Sequence, residues 1–303
     1  MHQFEFETLE VGDMRLRAGV RKGTEEGRMP LLVCNGIGAN LELILPFARS
    51  LESIDIIVFD APGCGESDTP KYPYRFSHLA EALVGIINHY GYDKVDVIGV
   101  SWGGALAQQI THDFPERVNR LVLAATASGA VMVPGKLPVL LRMASPRRYL
   151  QKEYMYTIAP LIYGGTFRRN PEKAHEHALK VRSAGGFGYY YQLMAGMGWT
   201  SIHWLHKIKQ PTLIMAGSDD PIIPLINAKI MSWLIPNARL QVVDDGHLFL
   251  LTRAKWMGPI IDRFLNEKPI YRQKTEEDEV EMLSARVKEL SKVVKVMEAQ
   301  QQA

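Results

Sequence analysis

Cysteine is scarce: Cys34 and Cys64 are the two in a chain of 303 residues. That excludes a disulfide framework and predicts a reducing compartment, with both thiols in packing roles. Charge of one sign is also missing. Thirty-five basic and 33 acidic side chains leave a formal net charge of +2, so nothing pulls the chain toward nucleic acid. No apolar run is long enough to cross a bilayer. The opening Met1-His2-Gln3-Phe4-Glu5-Phe6-Glu7 has neither the basic nor the apolar region of a signal peptide. No internal repeat is evident. These absences predict a cytoplasmic globular protein, and the 47% hydrophobic and 22% charged shares are ordinary for one.

What is present is alternation. Residues 4–9 and 14–20 read as a hairpin turning at Val11-Gly12-Asp13. Apolar runs at 31–34, 55–60, 95–100, 120–125, 211–217 and 239–243 read as buried strands. Helices are expected over 40–53, 77–90, 102–114, 225–235 and up to about 265, with Ser77 as an N-cap and Gly91 as a C′ glycine. Strands alternating with helices predict an α/β protein with a mostly parallel central sheet and helices on both faces. Its ligand site should lie beyond the carboxyl ends of the strands.

Gly99-Val100-Ser101-Trp102-Gly103-Gly104 sits at such an end, between an apolar strand and a helix. Strand, G-x-S-x-G and helix are the context of a nucleophile elbow, in which a serine stands on a sharp, strained turn. Side chains two residues before and after it would collide with the flanking strand and helix, and glycine has none. Three fixed positions at about 7% each give on the order of 0.1 chance matches in a chain of this length, so the flanking elements matter to the argument. Serine needs a base. His247 follows the last strand in Asp244-Asp245-Gly246-His247, and Asp219 and Asp220 follow the one before it. Ser101, an acid and His247 then form a nucleophile, an orienting carboxylate and a general base. Oxyanion donors are expected from the N–H of Trp102, which opens the helix, and of Ile37 in Asn35-Gly36-Ile37-Gly38. The remaining histidines lack such placement. His203 and His206 have no third ligand to make a metal site, and no cofactor is implied.

The alternation breaks after Ala127. Residues 128–205 carry several prolines and many large apolar side chains, and read as a mainly helical lid inserted between core segments 1–127 and 206–266. Most of its aromatics should form the insertion's own small core. Trp199 and Met194, with Asn35 and Gly36, are candidate substrate contacts. The pairs Arg147-Arg148 and Arg168-Arg169 read as solvated surface charge rather than as contacts to an anionic coat. The tail, 267–303, opens with charge and then spaces Val280, Leu283, Val287, Leu290, Val294 and Met297 in three- and four-residue steps. This is a short coiled-coil seam, for self-association, for a partner protein, or for folding back onto the chain's own surface.

At these motifs the chain resembles the α/β-hydrolase superfamily. The marks are Asn35-Gly36-Ile37-Gly38, the loop from Asp60 to Ser67, the elbow, Gly217-Ser218-Asp219-Asp220-Pro221 and Gly246-His247. The resemblance favours Asp220 over Asp219 as the acid. Asn35 stands where many members carry histidine, but the donors there are main-chain N–H groups. A narrower resemblance runs over about residues 30–265, to the intracellular depolymerases of medium-chain-length polyhydroxyalkanoates. It rests on Ala39-Asn40-Leu41-Glu42-Leu43, Ala105-Leu106-Ala107-Gln108-Gln109, Met132-Val133-Pro134-Gly135-Lys136, Ala144-Ser145-Pro146-Arg147-Arg148-Tyr149 and Gly198-Trp199-Thr200-Ser201-Ile202-His203-Trp204. It implies hydrolysis of a storage polyester at the surface of cytoplasmic granules, releasing 3-hydroxy fatty acids.

Three other functions compete. A carboxylesterase or lipase would use the same triad on small or lipid esters. A polyester synthase-like acyltransferase is disfavoured, because the related synthases carry cysteine where Ser101 stands. A non-catalytic binding protein on this fold is disfavoured by the intact serine, acid, histidine and oxyanion loop.

Overall fold

The computed structural model describes residues 3–145, 147–170, 172, 173, 175, 176, 186–267 and Ser284. The seam expected at 280–297 therefore lies outside the described residues, apart from exposed Ser284. The chain divides into two units, Met1–Asn266 and Glu267–Ala303, and everything below concerns the first.

Eight strands form one sheet: β1 (Glu5–Val11), β2 (Met14–Arg21), β3 (Leu31–Cys34), β4 (Ile56–Phe59), β5 (Val95–Val100), β6 (Val118–Ala124), β7 (Thr212–Gly217) and β8 (Ala238–Val243). Their order is β1-β2-β4-β3-β5-β6-β7-β8. The hairpin β1–β2 joins β4 antiparallel, and all other pairings are parallel. The hairpin turns at Gly12, whose φ of +62° suits glycine.

The inner strands are buried on both faces, which is why they read as predominantly apolar runs, with Asp96 in β5 and Asn119 and Arg120 in β6 as exceptions. Their period of two divides their side chains between two cores. Leu32, Cys34, Ile57, Phe59, Val95 and Val97 meet helices α2 (Phe76–His89) and α3 (Trp102–Asp113) on one face. Leu31, Val33, Ile56, Val58, Ile98 and Val100 meet α1 (Leu45–Ala48) and the last helix (Ala254–Asn266) on the other. Each such aliphatic side chain stabilises the fold by about 1.5–3 kcal/mol.

Two helix expectations change. The single helix expected over 40–53 is a 3-10 turn, Leu41–Leu43, followed by α1. Pro46 has no N–H and would clash with the carbonyl four residues back, so the chain restarts its helix there. Helix α2 begins at Phe76, capped by the extended Arg75 backbone, so Ser77 lies inside the first turn rather than capping it. Gly91, at φ +77°, does follow its end.

Between β6 and β7 lie five described helices: α4 (Leu137–Met143), α5 (Arg147–Leu150), α6 (Lys152–Tyr163), α7 (Gly165–Arg169) and α8 (Gly186–Gly196). The segment's two ends are tied by the bridge Gly129–Thr200 and by the N–H of Ser201 on the carbonyl of Ser128. Val139, Met155, Ile158, Ala159, Ile162 and Tyr189 form a third apolar cluster, which takes in Ile37 and Leu43 from the sheet side. We refer to the segment as the cap.

Candidate active site

Ser101 lies at the carboxyl end of β5 and precedes Trp102, the first residue of α3. Its φ of 54° and ψ of −118° are costly for a residue with a Cβ. The surroundings hold it there. Its N–H donates to the Ala124 carbonyl at 2.9 Å, and the Thr126 hydroxyl donates to its carbonyl at 2.7 Å. The flanking glycines are steric requirements. A Cβ at Gly99 would lie 2.3 Å from the Gly103 carbonyl oxygen, and one at Gly103 would lie 2.2 Å from that of Cys34.

The loops after β7 and β8 bring Asp220 and His247 together. His247 Nδ1 is 2.7 Å from Asp220 Oδ2, and both side chains are almost fully buried. Asp220 Oδ1 accepts the N–H groups of Ile222 and Ile223, each at 2.9 Å, which fixes the carboxylate's orientation. Asp219, the rival in the sequence, turns away. It pairs with Arg168 at 2.8 Å and accepts the N–H of Gly165 in the cap.

Ser101 and His247 line one cavity of about 50 Å³ with Asn35, Gly36 and Ile37. A Cβ at Gly36 would sit 3.8 Å from that of Ser101, so the loop after β3 faces the serine. Asn35 braces this loop from within. Its Oδ1 accepts the N–H of Gly36 at 2.9 Å, and its Nδ2 donates to the Asn40 carbonyl at 3.0 Å. Asp60 props the same loop by accepting the N–H of Leu41, and burial pushes its carboxyl up to about 6. The N–H of Trp102 has no partner within its own helix, as at any helix start.

The geometry is that of a serine on an elbow, an acid–histidine pair and a loop of main-chain donors around one small cavity. The α/β-hydrolase fold family matches residues 29–160 and 166–254. A poly(3-hydroxyalkanoate) depolymerase of Ectopseudomonas oleovorans is 59% identical over 264 residues, 87% of this chain and 93% of that protein. The chain belongs to the α/β-hydrolases, in the family of the poly(3-hydroxyalkanoate) depolymerases. Among solved structures, the enol-lactonase from Burkholderia xenovorans LB400 superposes with a TM-score of 0.75 at 20% identity, covering 86% of this chain and all of that one. A meta-cleavage product hydrolase from Pseudomonas fluorescens IP01 gives 0.70 at 20% identity, over 86% of this chain and 97% of the other. Those two likenesses concern the fold.

In this α/β-hydrolase the solvation expected of Arg148 is corrected, and the candidate contacts Trp199 and Met194 lie apart from the residues lining the cavity. Trp199 is not placed in the cavity. It packs edge-on to Phe76 at 5.1 Å and donates to Gln109 Oε1 at 2.6 Å. Met194 is 47% exposed on the cap. Arg148 is not solvated: at 2% exposure it is a buried side chain lining the cavity of Ser101. Arg147 is exposed, bonds Gln151 Oε1 and lies over the Tyr154 ring.

The sequence reading missed Gln192, fully buried on α8. Its Oε1 accepts the N–H of Gly38 at 2.6 Å and its carbonyl accepts the indole N–H of Trp102 at 2.8 Å. Its Nε2 donates to Cys64 Sγ at 3.0 Å. One cap residue thus ties both strand-end segments that carry the oxyanion donors expected from the sequence. Cys64 serves this contact as well as packing, and burial pushes its thiol up to about 12, so it stays protonated. Nothing local marks a glutamine for such a role. The cap grips the histidine side too: the N–H of His247 donates to the Tyr163 carbonyl at 2.8 Å.

Proposed function

We propose that the chain hydrolyses ester bonds of a medium-chain-length poly(3-hydroxyalkanoate) through an acyl-enzyme, releasing 3-hydroxy fatty acids. The observation that carries this reading is the Asp220–His247 pair opening, with Ser101 on its strained turn, into a cavity whose border includes Leu43, Ile44, Met143, Leu248, Leu250 and Leu251 as well as Arg148 and Tyr163. The 59% identity to a poly(3-hydroxyalkanoate) depolymerase supports the substrate class.

The roles follow from the chemistry. Ser101 Oγ attacks the ester carbonyl while His247 Nε2 takes its proton. Asp220 holds Nδ1–H and stabilises the imidazolium that forms. The N–H groups of Ile37 and Trp102 receive the negative charge developing on the carbonyl oxygen. His247 returns the proton to the leaving alcohol, and a water, deprotonated by the same histidine, releases the acid. No metal or cofactor enters any step.

A cavity of about 50 Å³ has room for a few water-sized groups and none for an alkyl-bearing polymer. The cap must therefore shift to admit substrate, as lids do in many enzymes. Exposed Leu137, Leu141, Phe187 and Met197 on the cap suit an apolar, insoluble substrate. Among the described residues no helix is long and apolar enough to cross a membrane, and both cysteines are free thiols. We place the protein in the cytoplasm, at the granule surface.

The test is clearing of medium-chain and short-chain polyester suspensions, with released 3-hydroxy acids identified by mass spectrometry. Clearing of the medium-chain suspension, abolished in Ser101→Ala, is expected. Hydrolysis of soluble esters with neither suspension cleared would move the assignment to a small-ester carboxylesterase.

A further inference from the structure

Asp245 is buried two residues before His247, and no chemical step described above uses it. Its two oxygens serve different neighbours. Oδ1 accepts main-chain N–H groups, that of Thr166 in cap helix α7 at 2.5 Å and that of Gly246 at 2.8 Å. Oδ2 accepts from side chains: the Thr166 hydroxyl at 2.8 Å, the Thr252 hydroxyl at 2.8 Å and Arg253 Nε at 3.0 Å. Burial alone would raise this carboxyl, but the hydrogen bonds outweigh it and hold the group below the ordinary carboxylate range. Asp245 is therefore an anion, and its bonds are of the stronger, charge-assisted kind.

The position matters as much as the charge. His247 stands on a loop beyond β8, where no ladder or helix holds the main chain. Two bonds hold it instead. The Gly246 N–H goes to Asp245, and the His247 N–H goes to the Tyr163 carbonyl at 2.8 Å. Both lead to the junction of α6 and α7. That junction is tight: a Cβ at Gly165 would lie 1.9 Å from the Gly246 nitrogen and 2.1 Å from Asp245 Oδ1, and one at Gly246 would lie 1.9 Å from the Tyr163 carbonyl oxygen. The acid side is tied in as well, since the Asp245 carbonyl accepts the N–H of Asp219, the neighbour of Asp220, at 3.0 Å.

We propose that Asp245 is a positioning residue for His247: through Oδ1 it fixes the Gly246–His247 main chain against cap helix α7, so that the imidazole meets Asp220. The proposal rests on the triad reading above and adds to it a residue that acts through His247 and touches no substrate. Alignment of the base thereby depends on α7 being seated on the strand-end loops. The Oδ2 bonds have the separate duty of tying the short helix Phe249–Thr252 and Arg253 to the same point.

The experiment separates the two oxygens. Active sites are counted by labelling Ser101 with an aryl phosphonate to completion. Two quantities are then read, kcat per site on a soluble aryl ester and the downfield proton resonance of the His247 Nδ1–H. Asp245→Ala should lose about 10- to 100-fold in kcat, with KM within about threefold of wild type and the resonance shifted or broadened, because a small misplacement of the base is costly. Asp245→Asn, whose amide oxygen can take over the two main-chain N–H groups, should stay within about fivefold of wild-type kcat. Thr252→Val removes one Oδ2 bond and no Oδ1 bond. It should lower Tm while kcat per site and the resonance stay at their wild-type values. An Asp245→Ala protein with wild-type kcat per site and an unmoved resonance, or an equal kcat loss in Thr252→Val, overturns the proposal and leaves the triad in place. Wild-type turnover in His247→Gln overturns both. Should Asp245→Ala fail to fold, Asp245→Glu decides, since it keeps the charge but carries the acceptor one carbon further. It should lose at least about fivefold in kcat per site, and wild-type kcat there contradicts the proposal.

Discussion

Core and cap present opposite surfaces. Among the described residues, ten of the fourteen exposed large hydrophobic side chains lie between 128 and 205, and the rest of the described chain supplies the other four. Inside the molecule both regions bury polar groups. The core holds Arg21, Asp60, Asp96 and Asp245 beside its two apolar layers, and the cap buries a charge, Arg148, and a polar clamp, Gln192. On the proposed reading, the core holds the chemistry at strand ends, and the cap meets the substrate outside and braces the site inside through Gln192. A close backbone contact joins the two: a Cβ on Gly188 of the cap would lie 2.1 Å from the Gly63 carbonyl oxygen.

The largest expected effect tests the core's share. Ser101→Ala should lower turnover of polyester and of soluble esters alike, by roughly 10⁴-fold or more, because the covalent route is lost. Steady-state rates on a soluble aryl ester check it, and turnover within tenfold of wild type would remove Ser101 from the nucleophile role.

Gln192→Ala tests whether the cap tunes the core. It strips the Gly38 N–H of its acceptor and loosens the loop that carries Ile37. We expect kcat on a soluble ester to fall about 10- to 100-fold with KM changed less, by analogy with the loss of oxyanion-hole geometry. Gln192→Glu keeps the acceptor and should recover part of it. Equal losses in both variants, tracking a lower melting temperature, would mean a purely structural role.

The smallest effect concerns the core away from the site. Asp96, in β5 beside Asn119, is buried, and burial pushes its carboxyl up to about 7. The folded chain holds this proton more tightly than the unfolded chain does. Stability from this group therefore falls as pH rises from about 4 to 7, and it is lost above that. Asp96→Asn should gain on wild type by roughly 1–2 kcal/mol between pH 5 and pH 8, measured by urea unfolding. A difference independent of pH would contradict the assignment.

The parts legible in the sequence are those set by local pattern. Parallel strands buried on both faces are predominantly apolar, so Leu31–Cys34, Ile56–Phe59 and, despite Asp96, Val95–Val100 stand out as runs. The elbow is legible because steric limits at Gly99 and Gly103 leave a fixed signature. Asp220 and Asp219 are neighbours that sequence alone leaves open; the Ile222 and Ile223 N–H groups turn the former toward His247 and Arg168 holds the latter. What escaped depends on tertiary partners. Arg148 and Arg147 form one basic pair in the sequence, yet one is buried and the other exposed. Trp199, a candidate substrate contact in the sequence, commits its indole N–H to Gln109, a partner 90 residues away that no local pattern shows. The break at Pro46 was readable and outweighs the helical pattern around it.

The most direct test of this division of labour replaces exposed cap side chains and reads two substrates. In Phe187→Ser with Met197→Ser, at 74% and 77% exposure the most accessible apolar side chains of the cap, the folded core and its site should be untouched. We predict clearing of a medium-chain polyester suspension reduced about tenfold or more, with soluble-ester kcat/KM within twofold of wild type. Undiminished clearing, or an equal loss on both substrates, would contradict the account.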